Sequence, residues 1–193
     1  MQKEQQKNII QKELQRNIIH LILGVITAVI ILKLSYNTSL ILFGTLLIIG
    51  TITSEAILKG KKILFLNWFI KKFERKKVRP GLGVINFLIG AFLSLVFFTP
   101  KIVFLSILVL AFNDSFSTVI GISFGKHKIW GKKTLEGSIG GFLGTVLIMS
   151  FFIPSFTSVM IISLTATLIE LFTTLDDNLI IPPTISLLIK VIQ

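Results

Sequence analysis

Cysteine is absent from this 193-residue chain, and only 15% of its residues carry a charged side chain. The first absence excludes disulfides and thiolate chemistry and leaves the redox compartment unreadable. The second is unusual, because soluble domains carry about 25% charged residues. Acid is the scarcer sign, with nine Asp and Glu against twenty Lys and Arg. No secretory leader is expected: residues 1–16 are polar, and no small-residue cleavage site follows the first apolar run. Repeats, low-complexity tracts and composition breaks that would mark a second domain are also missing. What is present is Ile, Leu and Phe. The chain is 52% hydrophobic with a mean hydropathy of +0.86, in blocks too long for a water-facing surface. A net charge of +11 could serve nucleic acid, but in a membrane chain basic residues gather in cytoplasmic loops and meet anionic headgroups. No nucleic-acid partner is expected.

A hydrocarbon core of about 30 Å takes roughly 20 helical residues to cross. Seven candidate segments fall at 17–34, 40–58, 83–98, 102–125, 138–153, 157–175 and 179–192. The expected fold is therefore all-α, a polytopic membrane helix bundle of about seven transmembrane helices, or six if the short last segment does not span. That last segment opens with Pro182-Pro183, which suits a first helical turn. Orientation follows from the cations. Four precede the first segment, nine lie between Lys59 and Arg79, and Lys126, Lys128, Lys132 and Lys133 follow the fourth. With the N-terminus inside, seventeen of twenty fall on the cytoplasmic side, leaving Lys33, Lys101 and Lys190 opposite. The expectation is a single integral membrane catalytic domain, residues 1–193, multi-pass in the cell membrane. Residues 1–16 form a cytoplasmic segment, and residues 59–80 an interfacial amphipathic one with Trp68 at headgroup depth. Oligomeric state is not readable.

With so few acids, each can be weighed. A carboxylate at mid-membrane costs about 2.5–3.5 kcal/mol on insertion scales and is a functional hypothesis by default. Asp114 and Glu170 fall in apolar segments, and Glu55 lies nearer an end. Glu55 and Glu170 also suit pairing with basic groups near the interface. Asp114, Ser117 or Thr118, Gly121 and Gly125 recur at three- to four-residue spacing and share one helix face. Small residues on a face suit helix packing; the carboxylate needs another reason, and a polar groove leading to the following loop supplies one. His20 lies near the start of the first segment, where packing is as good an explanation as chemistry.

The loop Gly125–Lys133 and its continuation Thr134-Leu135-Glu136-Gly137 set lysines beside glycines, a combination suited to polyphosphate. It lacks the spacing of a Walker A loop. Positive-inside bias alone explains the lysines, and Gly137, Gly140, Gly141 and Gly144 also suit helix packing. The Asp176-Asp177-Asn178 turn offers hard oxygen ligands for Mg²⁺ alongside substrate phosphates, or an ordinary helix cap.

Taken together, Asp114-x-x-Ser117-x-x-x-Gly121-x-x-x-Gly125 and Lys132-Lys133-Thr134-x-Glu136-Gly137 resemble the CTP-binding signature of dolichol kinases. The phytol kinases, CTP-dependent diacylglycerol kinases and phosphatidate cytidylyltransferases are similar. Arg16-x-x-x-His20-x-x-x-Gly24, Arg79-Pro80-Gly81-x-Gly83, and Glu170 with Asp176-Asp177-Asn178-Leu179 and Pro182 are weaker matches. Ser117 stands where the family usually has Ala, and the spacer between Gly125 and Lys132 is short. The resemblance implies transfer of the γ-phosphoryl of CTP to the hydroxyl of a membrane lipid alcohol, such as dolichol, polyprenol or another isoprenoid, with Mg²⁺ or a similar divalent cation. It implies a catalytic set of Asp114, Lys133 and Glu136, and a nucleotide set of Ser117, Gly121, Gly125, Lys132, Lys133, Thr134 and Gly137. It implies a metal set of Asp114, Asp176 and Asp177. Two rivals stay open: a cytidylyltransferase acting on a lipid phosphate, and a non-enzymatic transporter coupling ions through Asp114 and Glu170.

Overall fold

The computed structural model describes residues 2–61, 79–131 and 133–192. Trp68, most of the expected interfacial segment and Lys132 lie outside these residues. Among the described residues the fold is all-α apart from one short hairpin. The helices are α1 (Gln2–Lys33), α2 (Tyr36–Leu58), α3 (Leu82–Phe97), α4 (Pro100–Phe124), α5 (Leu135–Ser150), α6 (Phe156–Phe172) and α7 (Asp177–Ile192). Between α4 and α5 run β1 (Lys128–Trp130) and β2 (Lys133–Thr134), antiparallel, with Lys128 opposite Thr134. Gly131 closes the hairpin at φ +56°, a backbone conformation that side-chain-bearing residues rarely adopt.

Short polar stops set the helix ends. Ser35 and Ser155 cap α2 and α6 by accepting the amides of Thr38 and Ser158. Thr99-Pro100 starts α4, with proline where a missing N–H costs nothing. Connections of a few residues make sequential helices antiparallel. α4 is the central element: residues 103–111 are buried without interruption, and α1, α5, α6 and α7 pack around it. α2 is peripheral, held by α3, and exposes Ile41, Ile48, Ile49 and Ile52.

Each expected apolar segment is a helix, but length separates them. Glu13–Lys33, Tyr36–Leu58 and Pro100–Phe124 are long and apolar enough to cross a membrane. Leu82–Phe97, Leu135–Ser150 and Phe156–Phe172 are apolar but shorter; a 16-residue helix reaches about 24 Å. Two sequence expectations are corrected. Residues 2–16 continue the helix of α1 rather than preceding it. Pro182 and Pro183 sit inside α7 rather than at its start, because the helix begins at Asp177. A proline removes the amide that would bond four residues back, so the carbonyls of Asn178 and Leu179 are released. Those oxygens face Gly90 of α3, where a Cβ would come within 2.4 Å of one and 3.1 Å of the other. Only glycine lets α3 lie this close, and α7 therefore begins level with the middle of α3.

Candidate functional site

Five separate elements bring polar side chains to one place. α4 supplies Asp114 and Ser117, α6 supplies Glu170, α7 supplies Asp177, the hairpin supplies Lys133, and α1 supplies His20. Glu170 is 2% exposed and accepts the Ser117 hydroxyl at 2.9 Å. Lys133 Nζ pairs with Glu170 Oε1 and lies 3.3 Å from Asp177 Oδ2. His20 Nε2 lies 3.7 Å from Asp114 Oδ2. Burial works against the charge on Lys133, but Asp177 and Glu170 outweigh it and hold its pKa above the usual 10.5. Asp177 stands at the head of α7, just before the apolar stretch 179–192. Burial pushes its carboxyl up to about 7; Lys133 pulls the other way, while Asp114 and Glu170 add to the rise. Among the described residues, the cluster thus sets three acidic side chains around one ammonium.

Asp114, Lys133 and Asp177, placed together by sequence, do converge. Other expected members stand elsewhere. Asp176 Oδ1 accepts the Asn178 amide at 3.0 Å and caps the start of α7. The Glu136 carboxylate accepts the backbone amides of Lys126 (3.1 Å) and His127 (3.2 Å), and lies 2.6 Å from His127 Nδ1. That set of bonds, the one to His127 first, pulls the Glu136 pKa down to about 2. Glu136 therefore fastens the loop rather than facing Lys133. Thr134 caps α5 by accepting the Gly137 amide at 3.2 Å. The space before the glycines is filled by protein. A Cβ on Gly125 would lie 2.2 Å from Gly121 O, and one on Gly137 2.8 Å from Ser117 O. Gly121, Gly125 and Gly137 thus let α4, α5 and Thr134 close on one another, which is packing rather than an open phosphate cradle.

Sequence reasoning flagged Glu170 as an ionisable group in an apolar segment but left it out of the site, where it is central. It overlooked Asn113, which is fully buried and donates to Thr145 (3.0 Å) and Thr167 (3.1 Å), tying α4 to α5 and α6. The signal available was an amide inside an apolar run. Glu55 pairs with Arg79 beside a cleft of about 450 Å³ that is separate from the Lys133 cluster.

Among the described residues, no three His, Asp or Glu side chains form a ready-made metal-binding group. Glu170 Oε2 and Asp177 Oδ1 are nevertheless buried without a hydrogen-bond partner. Mg²⁺ is commonly held by one or two carboxylates plus substrate phosphates, so this donor set fits a cation that arrives with a nucleotide.

The family model for the cytidylyltransferase family matches residues 11–178, a stretch that includes His20, Asp114, Lys133, Glu170 and Asp177. The chain belongs to the cytidylyltransferase family. It is therefore a member of a family of CTP-using enzymes. This cytidylyltransferase-family chain is also similar to an uncharacterised protein of Methanocaldococcus jannaschii, at 33% identity over 191 residues and 93% of each chain. No solved structure matches it.

Proposed function

We propose that this chain is a membrane enzyme that transfers the γ-phosphoryl group of CTP to the hydroxyl of a lipid alcohol, of the isoprenoid type, at the cytoplasmic face. The observation that carries this reading is the Asp114 carboxylate, which stands in the Lys133 cluster 3.7 Å from the His20 imidazole. An alcohol is neutral and carries a proton that must be removed, and Asp114 is a carboxylate available to take it. The Asp114–Gly137 segment, with its resemblance to dolichol kinases, points the same way.

In this reading Lys133, with Lys132 beside it in sequence, neutralises phosphate oxygens. Asp177 and Glu170 turn their unpartnered oxygens to a divalent cation, in place of the expected Asp176; when bound, the cation neutralises phosphate charge. The alcohol oxygen bonds to the γ-phosphorus as the bond to the β–γ bridging oxygen breaks. CDP leaves, and the hydroxyl proton passes to Asp114. Catalysis of this kind is mainly positioning and charge neutralisation. The membrane holds the acceptor tail in lipid and its hydroxyl at the interface.

The family match favours a second reading, in which a lipid phosphate attacks the α-phosphorus and releases pyrophosphate. Labelled CTP separates the two. With purified protein in lipid and an isoprenoid alcohol, label from the γ position should enter the lipid and label from the α position should not. Entry of α-label with pyrophosphate release would replace the kinase with the cytidylyltransferase.

A further inference from the structure

His20 does no work in the chemistry above, yet its surroundings are unusual. Nε2 is buried and has no hydrogen-bond partner. It points toward Asp114 Oδ2 but stops at 3.7 Å, beyond hydrogen-bond reach. An oxygen placed between the two atoms could lie about 2.8 Å from both, the ordinary length for such bonds. The imidazole is held edge-on against Phe87 of α3, with ring centroids 6.5 Å apart. His20 is 26% and Asp114 30% exposed as whole side chains, although Nε2 itself is buried. One turn earlier on the same face of α1, Asn17 buries an Nδ2 that is also without a partner. The outward face of this part of α1 is apolar, with Ile18, Ile22 and Leu23 each about half exposed.

From this geometry we infer that His20 and Asp114 form the acceptor-hydroxyl subsite, receiving the alcohol of a long-chain lipid between α1 and α4. The lipid hydroxyl accepts from Nε2–H of His20 and donates to Asp114 Oδ2. It thereby gives the unpartnered Nε2 an acceptor and bridges the 3.7 Å to Asp114. The tail leaves from between α1 and α4, and the phosphates approach from the side where Lys133 stands. His20 is then a substrate-binding residue that decides whether a hydroxyl-bearing lipid is held in line with the nucleotide. This inference rests on the lipid-alcohol reading, so its test separates binding from turnover.

The probes are geranylgeraniol and its methyl ether, with the full chain in lipid nanodiscs. The ether keeps the tail but cannot donate to Asp114. Wild type should bind the alcohol about tenfold more tightly than the ether, as the loss of one hydrogen bond implies. His20→Ala should instead weaken binding of the alcohol and of the ether alike, and raise KM for the alcohol about tenfold with KM for CTP unchanged. His20→Gln, whose amide can place a donor where Nε2 stands, should recover most of the lost affinity, and monodisperse elution of both variants checks folding. Alcohol binding unchanged in both variants would overturn the subsite, as would a matching rise in KM for CTP. Wild type that transfers no phosphoryl group to the alcohol, yet binds it in a His20-dependent way, would overturn the kinase reading and leave the subsite standing.

Discussion

Replacing Lys133 with Met keeps the side-chain length and removes the ammonium that Glu170 and Asp177 share. Turnover should fall by about 10²–10³-fold, the loss that follows removal of one preorganised charge-stabilising donor. Stability should fall as well, since Glu170 is left buried and unpaired. A fully buried broken pair costs about 3–5 kcal/mol; Lys133 is a third exposed, so about 1–3 kcal/mol is expected here. Adding Glu170→Gln to Lys133→Met should restore the stability but not the activity, as denaturation and rate assays on the double-mutant cycle would reveal. Recovery of both would make the lysine a structural counter-charge. The sign of the pH effect follows from the raised lysine pKa. The pair's stabilisation is fully present below 10.5 and is lost as pH climbs through the higher folded value.

Among elements, the hairpin has its own fastening. Glu136 holds the amides of Lys126 and His127 and the His127 ring, and its pKa is lowered from 4.5 to about 2. The clasp is therefore intact above pH 4.5 and opens as pH falls toward 2. In a Trp68→Phe background, fluorescence of Trp130 on β1 should report an acid transition in that window. Glu136→Gln should abolish it; an identical transition in that variant would place the acid sensitivity elsewhere. Bonds of this kind explain what could be read from sequence and what could not. Seven apolar blocks were visible as helices because burial in lipid or protein demands them, and the face shared by Asp114 and Ser117 follows from helical spacing. The partners of Glu136 and Glu170 lie 9 and 37 residues away across turns, and periodicity carries no information at that range. The start of α7 was misplaced for a local reason. Prolines mark a first turn in sequence, whereas here Asp176 supplies the cap and the prolines open carbonyls toward Gly90.

For the molecule as a whole, the shared site requires the hairpin and the head of α7 to lie on one side of the bilayer. The chain has no cysteine, so single replacements at His127, Leu175 and Phe151, all exposed, give an unambiguous labelling test in sealed vesicles. Positions 127 and 175 should react from the cytoplasmic side and 151 from the other. Reaction of 127 and 175 from opposite sides would dismantle the cluster as a site. The pairing of Lys133 with Glu170 also bears on biosynthesis. Synthesis runs from the N-terminus, so the lysine leaves the ribosome well before the carboxylate. Glu170 stands two residues from the end of α6, and when it is made its counter-charge is already waiting on the hairpin. Asp177 comes later still. Glu170 is thus never without its lysine, and the site is complete only when the last helix has arrived.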